Sequence, residues 1–299
     1  MTEHEFNFTV IQPGIRLDKL VTGQVGEISR SQVQKLIAED FVTVNDQPQK
    51  ASYKVNSGDK VKVKVPPPSP SHLLPLPIDV PIIYEDEDVL VVDKPAGLTV
   101  HPAPGYKGPT LINAVLSHLK KFDQETPRPG IVHRLDKDTS GVMVVARHPL
   151  ALAKLASQFK EHTVRKVYLA LVHGKLTPEQ GIIEAPIGRD NVDRTRMAIS
   201  TESRGRKART QYKVLRYFGD NTLLEAMPET GRTHQIRVHF AAVGHAIVGD
   251  AIYGKKSPLL GRQFLHAYKL GFNLPSSGKR VDFESPLPAD LAQMLKLLS

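Results

Sequence analysis

Cysteine is absent from the chain, which excludes disulfides, thiol nucleophiles and cysteine-based zinc sites. No apolar run approaches the ~18 residues of a membrane-spanning helix, so no membrane partner is expected. The opening MTEHEFNFTV has neither the basic start nor the long apolar stretch of a secretory leader, and a cytoplasmic location is expected. There is no internal repeat of useful length. Regular alternation of strand and helix patterns is also missing, which disfavours a doubly wound parallel sheet.

Acidic residues are outnumbered, 31 Asp and Glu against 40 Lys and Arg, for a net charge of +9. The surplus is concentrated. Residues 189–216 carry nine Lys/Arg and three Asp/Glu, a net of +6. A solvated hairpin with long side chains would account for this. A polyanionic partner accounts for it better, because phosphate neutralisation rewards clustering.

Proline divides the chain. Seven of the sixteen residues in 66–81 (PPPSPSHLLPLPIDVP) are proline, a composition that supports neither a helix nor a central strand. We read 66–81 as a linker between a small module, 1–65, and a large one, 82–299. In the small module RLDKL at 16–20 begins an amphipathic helix. Ser29 is placed to cap a second helix, with Val33, Leu36 and Ile37 on one face. FVTVNDQP is a strand entering an Asn-Asp turn. KVKVKV at 60–65 alternates strictly, lysine on one face and valine on the other. Arg30, Lys35 and the lysine row offer a basic surface.

In the large module the patterns predict strands at 82–84, 89–93, 142–146, 165–172, 207–217, 222–227 and 264–272. Helices are predicted at 110–119, 149–161, 233–243 and 288–298. Long strands with short connections predict an α+β domain on a mixed or antiparallel sheet.

Four segments put polar groups where a packed core would not want them; of these, VLVVDKPAGLTVHPAPG (89–105), a strand ending in Asp93-Lys94-Pro95 and a Gly-Leu turn, reads by itself as a structural turn. In GIVHRLDKDTSGVMVVA (130–146) a charged loop lies between apolar stretches, at a sheet end, where sites are commonly built. Asp138 and Thr139 suit a turn. Asp136-Lys137-Asp138-Thr139 also matches the DxDxT loop of aspartyl-phosphate phosphatases, although His133 and Arg134 stand where that loop's buried strand would end. A third reading makes Asp136 a nucleophile beside an arginine that handles a polyanion. In RKVYLALVHGKL (165–176), Tyr168 is either a core tyrosine or a platform for a stacked base. In TGRTHQIRVHFAAVG (230–244), Ile236, Phe240 and Val243 are expected to face the core. Arg237 is next to that stripe, within reach of an interior carboxylate, and the residues before the helix offer amides to an anion. His234 and His239 are five apart with no glutamate after the first, so no metal is expected.

DKPAGLTVHP, IVHRLDKDTSG, RKVYLALV, GRTHQIRVH, GDAIYG and FLHAYKLGF occur in an order that resembles the RluA/RluD-type family of RNA pseudouridine synthases, across nearly all of 82–299. The small module resembles the S-four-type RNA-binding module, with Asp40-Phe41 where a glycine is usual. That pairing is similar to the RluC and RluD groups, and IVHRLDKDTSG is closest to the RluD group. The resemblance implies isomerisation of uridine to pseudouridine in large-subunit (23S) ribosomal RNA, on a nucleotide flipped from its stack, without a cofactor, by a monomer. It implies Asp136 as nucleophile, Arg237 as its ion-pair partner and Tyr168 as the stacking residue. Arg134 and Leu135 are then candidates to fill the gap left by the flipped base or to hold the phosphate. Arg232, Thr233 and His234 become backbone contacts. An arginine at 237 would fix the carboxylate with its planar fork.

Overall fold

A computed structural model describes residues 4–26, 28, 30–66, 73–102, 106, 108–120, 122, 126, 128–190, 192–193 and 196–299. The Ser29 cap, the Ser31 side chain and the middle of the proline-rich stretch lie outside them. The chain forms two compact units, 1–70 and 71–299.

The small unit packs helices α1 (Leu17–Val25) and α2 (Arg30–Ala38) on a four-stranded sheet. Strand β4 (Lys60–Val65) pairs antiparallel with both β1 (His4–Thr9) and β2 (Val42–Val44). Val61 and Val63 point inward, to a core with Leu17, Val21 and Val33, as strict alternation requires. Asn45 and Asp46, both at positive φ, turn β2 into β3 (Gln47–Pro48), the left-handed pair that a tight hairpin favours. Asp40 takes φ +60° at the end of α2, doing at some steric cost what glycine does freely. Strand β1 is not predicted by the sequence pattern.

The second half of the expected linker belongs to the large unit. Leu74 and Leu76 hydrogen-bond Asn113 through their backbones, and Ile78 and Val80 pack on an apolar cluster. The sheet of this unit is mixed and has nine strands: β5 (Ile82–Glu85), β6 (Val89–Lys94), β7 (Ser140–Ala146), β8 (Arg165–His173), β9 (Gln180–Glu184), β12 (Arg209–Phe218), β13 (Asn221–Pro228), β14 (Leu265–Asn273) and β15 (Arg280–Glu284). Their order is β5-β6-β7-β14-β8-β13-β12-β9, with β15 also on β14. Among these described strands, only the β7–β14 pair is parallel. β10 (Ile187–Arg189) and β11 (Met197–Ile199) form a separate hairpin at the start of the basic segment. Three short strands, β9 to β11, and β15 were not legible as periodic runs.

β7 is buried along its whole length. Val142, Val144 and Ala146 pack on one face with α4 (Pro149–Lys160), and Met143 and Val145 pack on the other with α3 (Leu111–Val115). Burial on both faces explains its continuous apolar run. α5 (Gln235–Ala242) and α6 (Ala289–Leu298) cover the β8–β13 region. Ile236 and Phe240 face this core as expected, but Val243 does not; it lies past the end of α5 and is 45% exposed.

Candidate active site

Register brings the site together. Gly141, at the start of β7, pairs with Ala267 of β14, and Ala267 pairs on its other side with Tyr168 of β8. The loop 133–139 therefore enters the sheet one strand away from Tyr168. Gly141 has φ +122°, and a Cβ there would lie 2.2 Å from the carbonyl oxygen of Ala267. The glycine permits both the backbone conformation and the close approach.

The loop is tied down around Asp136. The amide of Thr139 donates to the carbonyl of Asp136 at 3.1 Å, and that of Gly97 to the carbonyl of Lys137 at 2.9 Å. Arg262, which also grips Asp290 of α6, donates Nη1 to the carbonyl of Asp138. Gln263 donates to Thr139, and Ser140 hydrogen-bonds His266. Lys94 is fully buried and aims its ammonium at the carbonyls of Pro95, Leu98 and Lys137 at 2.8, 2.9 and 3.0 Å. Burial pushes Lys94 down to about 7, against the opposing charges of Asp138 and Asp136. The DKPAG segment thus helps hold the loop that carries Asp136, a role its sequence did not reveal.

Asp136 stands half-buried in a cavity of about 530 Å³. Nη1 of Arg237 donates to its Oδ2 at 3.0 Å. The fork of Arg237, expected on Asp136, is directed elsewhere: Nε and Nη2 donate to Asp250 at 2.7 and 2.9 Å. Burial opposes the Arg237 charge, yet the hydrogen bonds to Asp250 and the charge of Asp136 raise its pKa further. Asp250 is fully buried and also accepts the amides of Ile252 and Tyr253. Burial favours its neutral form, but Arg237 outweighs this and holds the carboxyl below its ordinary value. Asp250 lies in the GDAIYG segment; no periodicity or spacing singled it out.

His234, expected on the RNA backbone, lies beside Asp136. Its Nε2 is 3.9 Å from Oδ1 of Asp136, and its Nδ1 is 2.8 Å from the Tyr253 hydroxyl. It sits at φ +55°, a conformation that costs a non-glycine residue energy and recurs at functional sites. Burial lowers its pKa despite Asp136, so the imidazole is neutral at pH 7. The Tyr253 ring in turn packs under the Arg237 guanidinium, 5.1 Å away.

Tyr168 lines the same cavity. Burial, and then the charge of Asp136, push its phenol above the ordinary range, so it stays protonated. His133 accepts the amide of Val144, stacks on Phe159 at 4.8 Å, and is driven by burial to about 3. It is a neutral wall.

The remaining expected residues divide. Arg134 is exposed at the cavity. Leu135, expected to fill a gap in RNA or hold the phosphate, is 4% exposed in the core with Leu98 and Val100. Arg232 donates Nε to the carbonyl of Lys207, and its amide is taken by the Gln235 side chain. Thr233 lines the cavity. His239 is structural, buried between Thr210 and the carbonyl of Ala185. In the small unit Arg30 pairs with buried Asp18, and Lys35 with Glu39.

This arrangement, a carboxylate on a rigid loop facing a tyrosine inside a cationic cavity, fits covalent chemistry on a base. The family model for RNA pseudouridylate synthase matches residues 88–242, and that for the S4 domain matches residues 15–61. The chain is 44% identical over 290 residues to the uncharacterized RNA pseudouridine synthase YlyB of Bacillus subtilis, covering 96% of this chain and 95% of that one. It is 43% identical over 295 residues to ribosomal large subunit pseudouridine synthase D of Nitrosomonas europaea, covering 95% and 85%. The structure of human RNA pseudouridylate synthase domain containing 1 superposes with a TM-score of 0.57 at 29% identity, covering 74% of this chain and 94% of that one. The chain belongs to the RNA pseudouridine synthase family. It is an isomerase with an S-four-type RNA-binding domain.

Proposed function

We propose that this enzyme isomerises specific uridines of large-subunit (23S) ribosomal RNA, with Asp136 as the nucleophile. The target class follows relatives named for the large ribosomal subunit. The observation that carries the chemistry is the Asp136 carboxylate, half-buried in the cavity, with one arginine donor at 3.0 Å and Tyr168 alongside.

A uridine in folded RNA reaches this cavity only when flipped out of its stack. Tyr168 then supports the base, and Arg134 occupies the vacated position. An oxygen of Asp136 attacks either the anomeric carbon or carbon 6 of the uracil, and both routes give a covalent intermediate. The bond from N1 to the sugar breaks, the base turns over, and carbon 5 bonds to the anomeric carbon. The bond to Asp136 breaks to restore the free carboxylate, the proton on carbon 5 leaves, and N1 ends protonated. Atoms and electrons balance within one nucleotide. Arg30, Lys35, Arg232 and Thr233 supply contacts along the RNA.

Two measurements test this reading. Ribosomal RNA from cells lacking the protein should lose pseudouridine at defined large-subunit positions. Asp136→Asn should fail to restore them while binding RNA within a few-fold of wild type. Restoration by the variant would remove Asp136 from the covalent role.

A further inference from the structure

The cavity is electrically lopsided. Among the described residues that line it, Arg128, Arg134, Lys160, Lys166, Arg232 and Arg237 are cationic, and Asp136 is the single carboxylate. Arg237 is matched by Asp136 and Asp250. Arg128, Arg134 and Lys160 are exposed to solvent, where water compensates their charge. Arg232 gives its Nε to the carbonyl of Lys207 in a solvent-exposed contact. Lys166 is more enclosed than any of these but Arg237, which is paired. Its side chain is half-buried, and its ammonium donates to one backbone carbonyl, that of Glu229, at 3.0 Å. The Glu229 carboxylate is occupied by Arg209 and Gln211, and among the described residues no carboxylate pairs with Lys166. Its neighbour His133 is neutral. Burial, acting alone, pushes Lys166 down to about 8. A desolvated cation without a counter-ion is costly in a folded chain, and an anionic ligand would remove that cost.

Lys166 and Tyr168 are two apart on β8 and share a face, about 6.7 Å along the strand. That is comparable to the reach from a base to a phosphate of its own nucleotide. We propose that Lys166 is the seat for a backbone phosphate flanking the target uridine, and that this contact sets the depth to which the flipped nucleotide enters. This rests on the reading of Tyr168 as the base platform.

Mononucleotides test it without knowledge of the target sequence. The affinities of uridine, uridine 3′-monophosphate and uridine 5′-monophosphate are measured by chemical-shift titration. Wild type should bind at least one monophosphate about tenfold more tightly than uridine, the worth of one charge-assisted hydrogen bond. Lys166→Met should reduce that ratio towards one and leave uridine itself unchanged; Lys166→Arg, which keeps the charge, should preserve it. A ratio unaltered in Lys166→Met, or no gain from either phosphate in wild type, overturns the proposal. The wild-type comparison does not depend on a variant that folds. Tyr168→Leu separates the two readings: it should weaken uridine and leave the phosphate ratio intact. Unchanged uridine affinity there removes the platform and leaves the Lys166 result standing.

Discussion

The guanidinium of Arg237 joins two carboxylates, giving Asp250 two hydrogen bonds at 2.7 and 2.9 Å and Asp136 one at 3.0 Å. Asp250 therefore decides how the arginine is oriented, and Asp136 receives a donor already in place. Lysine, with a compact ammonium, cannot span both. Arg237→Lys should lower single-turnover rates by about 10²-fold, the scale of an ångström-sized misplacement, with RNA affinity within a few-fold. Asp250→Asn should lower the same rate by reducing the grip on Arg237. An arginine that merely touched phosphate would show the reverse, with weaker, less salt-dependent binding and an intact rate.

Stability should separate the two carboxylates. Asp136→Asn leaves Arg237 paired with Asp250, so its unfolding free energy should stay within about 1 kcal/mol of wild type while turnover vanishes. Arg237→Met strands Asp250, fully buried, without its cation, and should cost about 3–5 kcal/mol. Denaturant unfolding of both variants reads this directly. Equal losses would show that the bridge does not divide in this way.

Lys94 makes a pH-dependent contribution. Lys94→Met removes the ammonium's donation to the carbonyls of Pro95 and Leu98 and one of two donors to that of Lys137, and should cost about 3 kcal/mol at pH 9. In the folded chain burial holds Lys94 at about 7, against an ordinary lysine value of 10.5. Between those values the unfolded chain binds more protons, so this group's contribution to stability rises with pH. The gap between wild type and Lys94→Met should widen from pH 7 towards pH 10. A gap independent of pH would mean that Lys94 keeps its proton throughout.

Asp18 lies in the same RLDK string as Asp136 but in a different setting. It is fully buried and accepts from Arg16, Gln34 and Arg30, and Arg16 first among them holds it well below the ordinary carboxylate range. Because a lowered carboxyl contributes stability above its unfolded pKa, that contribution is present at neutral pH and is lost as pH falls below the ordinary range. Asp18→Asn should destabilise the small unit and weaken RNA binding by loosening Arg16 and Arg30. The rate at saturating RNA should not change. A fall in that rate would place Asp18 in the chemistry.

Local pattern was enough for much of this protein. Alternation in KVKVKV set the valines on one face, where Val61 and Val63 enter the small core, and an apolar run marked the strand at 142–146. The charged loop between apolar stretches marked Asp136. These are properties of neighbours in the chain, and strand or helix period carries them. The partners of Asp136 and Arg237 are not of that kind. Asp250 is thirteen residues from Arg237 and outside any helix or strand, so no period links them. Lys94 meets the carbonyl of Lys137 only because β6 and β7 are adjacent strands, and Tyr168 meets the loop only because β14 lies between them. The strands β1, β9, β10, β11 and β15 are defined by their hydrogen-bonded partners more than by their own residues. Sequence alone determined the longer helices and strands and marked one charged loop between apolar runs; tertiary pairing decided the short strands and where the arginine's fork goes, since a hydrogen bond is specified by distance in space and not by separation in the chain.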